Sequence, residues 1–126
     1  MSYRNTDETA FHILMPNLDE SAAQNNIELL LLNEFKESYR IFEKCQYELQ
    51  EVNSAIRDAQ KSNSELLRCL REKAQRIAAR LNLEDKTIVN LRNEPHLKNL
   101  YEREKAKALK KAESEKLEYL LSLLNR

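Results

Sequence analysis

The chain has 126 residues, and its 21 Lys and Arg balance its 21 Asp and Glu, so the formal net charge is zero. It contains two prolines and no glycine. Tight β-hairpins, β-bulges and phosphate-binding loops commonly require glycine, so this composition argues against all three and favours long helices with few connections.

Charge is unevenly distributed along the chain. Residues 1–34 carry six acidic residues against one arginine, a net charge of −5, whereas residues 96–111 carry six basic residues against two acidic ones, a net charge of +4. A chain that is dipolar in this way favours oriented assembly with complementary surfaces.

The first segment, residues 1–18, shows no helical or strand period. Phe11, Ile13, Leu14 and Met15 form a short apolar cluster that ends at Pro16. We interpret the segment as a flexible acidic tail, with a short partner-docking motif as the alternative.

A signal peptide and a membrane span are not expected. The first ten residues lack a basic region followed by an apolar one, and the longest apolar run, Leu29–Leu32, is far below the ~20 residues that cross a bilayer. The sequence therefore predicts a soluble intracellular protein of the nucleus or cytoplasm.

A long helix is predicted to follow. Ser21 and Gln24 fit a capping box, and no proline occurs between them and Pro95. Counting by sevens gives a mostly apolar series: Phe35, Phe42, Leu49, Ile56, Asn63, Leu70 and Ile77. A companion series is Leu31, Ser38, Cys45, Val52, Ala59, Leu66 and Lys73. This heptad pattern predicts an all-α, elongated coiled coil with one helix over about 21–81, or at most to 93.

Two features interrupt the heptad seam. Asn63 falls at a core position, where a buried asparagine fixes register and partner number. After Leu70 the spacing becomes Leu70, Ala74, Ile77 and Leu81, which is a stutter that locally unwinds a supercoil.

A break is predicted around 82–95, because residues 82–87 are weakly helical and Pro95 cannot continue a helix. Asn93 or Glu94 can cap a C-terminal helix over about 96–125, with Pro95 in its first turn. The predicted divisions are thus a tail (1–18), a heptad-bearing helix (19–93) and a C-terminal helix (94–126).

Helix lengths indicate partner chains. A C-terminal helix that folds back at 82–95 is too short, at 1.5 Å per residue, to reach the segment from Ile27 to Phe42. That segment includes four consecutive leucines, which point all around a helix. We therefore expect another chain to cover Leu29–Leu32.

No catalytic, cofactor or metal site is predicted. His12 and His96 have no Cys or His at metal-ligand spacing. Cys45 and Cys69 would be about 36 Å apart on one helix, too far for a disulfide. The acidic residues mostly alternate with Lys and Arg at helical spacing, which is typical of a solvated helix face.

Two basic stripes raise the alternative of nucleic-acid binding. One contains Arg68, Arg71, Lys73, Arg76 and Arg80, and the other contains Arg103, Lys107, Lys110 and Lys111. Acidic residues interrupt both stripes, and no recognition motif is present, which argues against this role. Membrane-surface binding is also disfavoured, since the apolar residues of the last helix cluster at its two ends.

The pattern therefore predicts a non-catalytic scaffold subunit of a multi-subunit complex, in the style of kinetochore, vesicle-tether or transcription-coactivator assemblies, which it does not distinguish. Other helical subunits are the expected partners; a homodimeric adaptor and a nucleic-acid-binding protein are the alternatives. The predicted partner-binding residues are Leu29, Leu31, Phe35, Phe42, Leu49, Val52, Ile56, Asn63, Leu66, Leu70, Ile77, Leu120 and Leu124.

Overall fold

The chain is all-α, as predicted, in a computed structural model that describes residues 6–59 and 64–125. The α-helices of those residues are α1 (Thr6–Leu14), α2 (Asn26–Ala59), α3 (Ser64–Arg92) and α4 (Pro95–Leu124). Single 3₁₀ turns at Met15–Asn17 and Glu20–Ala22 lie between α1 and α2. No described residue has a positive φ, the conformation in which glycine is favoured.

Contacts within the chain define two compact units. Unit 1 comprises the described residues of Met1–Leu32 and Asn93–Arg126, and unit 2 comprises those of Asn33–Arg92. Unit 1 therefore contains α1, the first turns of α2 and all of α4. Unit 2 contains the rest of α2 together with all of α3.

In unit 2, α2 and α3 pack against each other in antiparallel fashion. Cys45 and Val52 of α2 share a buried cluster with Ile77 of α3. Closer to the ends where the two helices meet in sequence, Ala59 and Leu66 line one groove. Positions thus move backward along α2 as they move forward along α3.

This packing corrects the prediction of one helix over 21–81. On a single straight helix, Cys45 and Ile77 would be about 48 Å apart, so they could not share a core. α2 instead ends at Ala59 and α3 begins at Ser64. Heptad counting missed the reversal because two antiparallel helices carry the same apolar period as one long helix.

The two interruptions of the seam have different outcomes. Asn63 lies outside the described residues, so its role in register stays a prediction. The step of four after Leu70 does describe the buried face of α3, because Leu70, Ala74 and Leu81 all pack against the cluster of Cys45, Val52 and Ile77. A supercoil along this face stays a prediction.

The start of α2 lies four to five residues later than predicted. Ser21 sits in a 3₁₀ turn, where its amide donates to the Asp19 side chain at 2.9 Å. The capping residue of α2 is Asn25, whose Oδ1 accepts from the Glu28 amide at 2.9 Å. Asn25 and Glu28 have the spacing of a capping box, but the Glu28 carboxylate accepts from the Gln24 amide and not from that of Asn25. The predicted capping box of Ser21 and Gln24 was therefore wrong.

The start of α4 agrees with the prediction. Glu94 is the N-cap, its carboxylate accepts from the amides of His96 and Leu97, and Pro95 occupies the first turn. The break itself is shorter than the predicted 82–95, since α3 continues to Arg92.

Unit 1 contains the segment that was interpreted as a tail. Residues 6–14 form α1, which contacts α4. Phe11 is buried with its ring 4.9 Å from that of Tyr101, and Met15 is fully buried. The apolar cluster before Pro16 is therefore used for packing within the chain, which the absence of a period in so short a segment did not reveal.

The leucine-rich start of α2 is covered in part within the chain, and contact of its exposed side chains with another chain stays a prediction. Leu32 is fully buried and Leu29 and Leu31 are half-buried, although Leu30 remains 63% exposed. The prediction from helix lengths assumed that only one helix follows the long one. Because α2 ends at Ala59, two helices of 29 and 30 residues follow it.

We predict that Ile77→Ala lowers the free energy of unfolding by about 2–5 kcal/mol, because it removes buried methyl groups from the α2–α3 core. Leu83→Ala is the matched control, since Leu83 is on the same helix but 59% exposed. Urea denaturation followed by far-UV circular dichroism measures both. Equal effects of the two substitutions would contradict the antiparallel packing.

Candidate interaction surface

The structure separates the predicted partner-binding residues into a buried set and an exposed set. Phe35, Val52 and Ile77 are buried, and Leu49, Ile56 and Leu70 pack on the core of unit 2. Leu66, Leu120 and Leu124 are exposed. Most residues of the heptad seam therefore pack within the chain, and contact of these residues with a partner stays a prediction.

Phe42, another predicted partner-binding residue, is part of a row of stacked aromatic rings on α2. The Tyr39 ring lies between those of Phe35 and Phe42, with centroid distances of 5.8 and 6.5 Å. Burial also raises the pKa of Tyr39. This run of three rings along one face of α2 belongs to the packing of unit 2.

Leu66 lines an open groove of about 400 Å³ together with Ala55, Asp58, Ala59 and Leu70. The lining is mostly apolar and carries one carboxylate. Nothing in its chemistry specifies a ligand, since a single acidic side chain at the edge of an apolar groove binds neither a metal nor a phosphate.

The larger exposed feature is the second half of α4. Leu97, Leu100 and Tyr101 are buried in unit 1, but every described residue from Ala106 to Asn125 is exposed. Four leucines in that half, which we call the terminal stripe, are Leu117, Leu120, Leu121 and Leu124. They are 57%, 46%, 49% and 80% exposed.

The spacing of the terminal stripe puts its members on one face. At about 100° per residue, the four leucines occupy an arc of about 100°, which is the i, i+3, i+4, i+7 pattern of a helix that packs on another helix. Nothing in the described part of the chain covers this face. It is an apolar surface of the kind that marks a protein interaction site.

In unit 1, an ion pair between Arg103 of α4 and the buried Glu28 of α2 joins the two helices. The Arg103 guanidinium donates to both carboxylate oxygens of Glu28, at 2.8 and 2.6 Å, and Arg103 also donates to the Ala22 carbonyl oxygen at 3.4 Å. Glu28 is 4% exposed. Two parallel hydrogen bonds between an arginine and a carboxylate are a strong and geometrically specific contact.

The electrostatics of Glu28 follow from this geometry. Its Oε1 also accepts from the Gln24 amide at 3.0 Å. The hydrogen bonds from Arg103 lower the pKa of Glu28 from 4.5 to about 2, despite the raising effect of burial. The same carboxylate thus binds the Gln24 amide just before α2 and the Arg103 guanidinium of α4.

The two basic stripes are partly neutralised by neighbouring acids. Arg68 pairs with Glu65 and Glu72 on α3, and Arg80 pairs with Glu84 at 2.9 Å. In the second stripe Arg103 pairs with Glu28, and Lys107 pairs with Glu104 at 2.9 Å. Within the second stripe, these pairs leave Lys110 and Lys111 exposed and without an acidic partner among the described residues. Lys98 and Lys116 of α4 are exposed in the same way.

The histidine and cysteine side chains, which carry out chemistry in many enzymes, lie in the following surroundings. His96 contacts the Glu94 carboxylate through Nδ1 at 3.1 Å at the start of α4. Both cysteines are free, Cys45 in the core and Cys69 on the surface. Among residues 6–59 and 64–125, no group of three or more His, Cys, Asp or Glu is arranged to hold a metal ion.

Sequence reasoning missed the Glu28–Arg103 pair and the full extent of the terminal stripe. The signal for the pair was the opposite net charge of residues 1–34 and 96–111, which we assigned to assembly between chains. The N-x-x-E motif at Asn25 was a second signal. The stripe was legible from the spacing of the last leucines, of which only Leu120 and Leu124 were named.

Comparisons with protein-family models, curated proteins and solved structures give no match. A search of the described helices for membrane spans finds none with the length and apolar character to cross a bilayer.

We predict that Glu28→Gln lowers the free energy of unfolding by about 1.5–3 kcal/mol at neutral pH, because it weakens a buried charged hydrogen-bond pair. Glu37→Gln is the matched control: Glu37 pairs with Arg40 on the same helix, but both side chains are about 60% exposed, so little change is expected. Chemical denaturation measures both.

The pH dependence of this effect has a definite sign. Because the folded-state pKa of Glu28 is lowered to about 2, its carboxylate stabilises the chain fully above about pH 4.5, and that contribution is lost as the pH falls toward 2. The stability difference between wild type and Glu28→Gln therefore shrinks over this interval. A difference that is constant from pH 6 to pH 2 would contradict the pair.

Proposed function

We propose that this chain is a non-catalytic structural subunit of an intracellular multi-subunit complex, in the nucleus or cytoplasm, and that it binds another helical protein through the second half of α4. The single observation that carries the proposal is the terminal stripe. It is an ordered leucine face on a helix that no described part of the chain covers.

Helix energetics support this role. Isolated helices are marginal in water, and most helical stability in proteins comes from packing of an apolar face. Residues 106–124 of α4 are all exposed and have no such packing within the described part of the chain. A partner helix on the terminal stripe would supply the missing burial, at about 25 cal/mol for each Å² of apolar surface removed from water.

The proposal differs from the sequence-based hypothesis in where the partner binds. That hypothesis assigned partner binding mainly to the heptad seam of residues 31–77. Since Cys45, Val52 and Ile77 form one cluster within the chain, the seam is largely occupied. The end of α4, represented in the hypothesis by Leu120 and Leu124, becomes the main partner surface.

The alternatives have weaker support. Nucleic-acid binding would use the basic stripes, but Arg68, Arg80 and Arg103 are each engaged by a carboxylate. A homodimeric adaptor would pair the terminal stripe with its own copy, and sedimentation of the isolated chain would reveal it as a dimer that dissociates when the stripe is altered.

We predict that replacing Leu117, Leu120 and Leu124 together by serine removes the helical companions that copurify with the tagged protein from its own cells. Replacing Leu30, Tyr47 and Leu83 by serine is the matched control, because these large apolar side chains are also 59–65% exposed and lie outside α4. Quantitative mass spectrometry of the purified material compares the two with wild type.

The folded state of both triple variants is checked by circular dichroism, since exposed leucines contribute little to stability. A wild-type protein that purifies alone would refute the proposed function. Companions retained by the stripe variant would show that the partner surface lies elsewhere.

A further inference from the structure

We propose that the partner of α4 is an amphipathic helix of another protein that presents carboxylates opposite Lys107, Lys110 and Lys111 and aliphatic side chains opposite the terminal stripe. This inference rests on the proposed function and specifies the chemical class of the partner. It follows from the order of charge and apolar residues along the exposed half of α4.

The three lysines lie next to the stripe on the helix surface. Measured from Leu117 at about 100° per residue, Lys110 is at about 20°, Lys107 at about 80° and Lys111 at about 120°. The stripe extends from about −60° to about 40°. One helix laid along α4 therefore meets the lysines first and the leucines two turns later.

Lys110 lies in the seam itself. Heptads that contain Leu117 and Leu124 place Lys110 at a core position, seven residues before Leu117, whichever of Leu120 and Leu121 completes the pattern. A cation at a core position is stabilised by a carboxylate on the partner and is costly to bury without one. Within the described residues no acid pairs with Lys110 or Lys111, so a partner that buries Lys110 has to supply the counter-charge itself.

A second copy of this chain in parallel does not supply that counter-charge. Parallel pairing of α4 with itself would put Lys110 directly against Lys110 of the copy, and like charges at a core position are destabilising.

Antiparallel copies also fail. Aligning the two stripes, with Leu117 opposite Leu124, sets no residue of the copy's α4 opposite Lys107, Lys110 and Lys111, because α4 ends at Leu124. A shift that brings the lysines opposite Glu113, Glu115 and Glu118 instead places the leucines opposite residues 101–108, which include Arg103, Glu104 and Lys105.

An anionic membrane or nucleic acid is a poorer match than a helix. Glu113, Glu115 and Glu118 lie between or beside the lysines and the stripe, and Glu113 is only about 40° from Leu117 on the helix surface. A continuous negative surface would repel these carboxylates along with attracting the lysines. A partner helix, which varies in sequence from turn to turn, can accommodate both.

Two designed peptides test the proposal directly. Each is a helix about three heptads long with leucines at the core positions of one end. At the other end, the acidic peptide has glutamates at core and flanking positions and the basic peptide has lysines there. Titration of the full chain into each labelled peptide, followed by fluorescence anisotropy, gives the two affinities.

We expect the acidic peptide to bind at least about tenfold more tightly than the basic one at low salt, with the difference shrinking as salt screens the charges. Lys107→Glu, Lys110→Glu and Lys111→Glu together should reverse this preference. The matched control reverses Lys44, Lys73 and Lys86, which are exposed on other helices and should leave the preference unchanged.

Each other outcome overturns the proposal. These outcomes are equal affinity for the two peptides, a preference that survives the α4 charge reversal, dimerisation of the chain through the stripe, and tighter binding to phosphatidylserine vesicles than to the acidic peptide.

The test separates this proposal from the proposed function. If stripe-dependent companions copurify from cells but the acidic peptide is not preferred, the structural-subunit role stands and the acidic-helix inference fails. If the wild-type protein purifies alone, the structural-subunit role fails, whatever the peptides show.

Discussion

The Arg103–Glu28 ion pair is the contact on which the organisation of unit 1 depends. The Glu28 carboxylate accepts from the Gln24 amide just before α2 and from the Arg103 guanidinium of α4, so a single buried side chain connects the start of α2 to α4. It unites the acidic beginning of the chain with its basic later segment, a charge asymmetry that otherwise suggests assembly between chains. Beyond Glu104 and Lys105, which are half-buried, the exposed half of α4 begins.

In unit 2, the apolar residues of α2 and α3 pack mainly against each other. The antiparallel pairing of α2 with α3 buries Cys45, Val52 and Ile77 and brings the half-buried leucines and isoleucines of both helices onto that cluster. Antiparallel helices joined in sequence satisfy a heptad pattern without a partner. The apolar surface left for other molecules is then concentrated at the end of α4, where leucines recur at helical spacing.

Much of the secondary structure could be predicted from local chemistry. The capping of α4 by Glu94, with Pro95 in its first turn, depends on neighbouring residues only, and the structure agrees with it. The lack of glycine predicted long helices, and no described residue has a positive φ. The antiparallel direction of α3 relative to α2 could not be predicted from periodicity, because an apolar repeat is the same whichever way the chain runs. The Glu28–Arg103 pair joins residues 75 positions apart, and no local pattern selects one arginine among many for one carboxylate.

We propose that α4 is held by the chain up to about Arg103 and binds a partner beyond it. Amide hydrogen exchange of the isolated chain, resolved by mass spectrometry of overlapping peptides, tests this most directly, because unsupported helices open far more often than packed ones. We predict strong protection for residues 97–104 and exchange faster by orders of magnitude for residues 106–124. Uniform protection along the whole of α4 in a monomer would contradict the account.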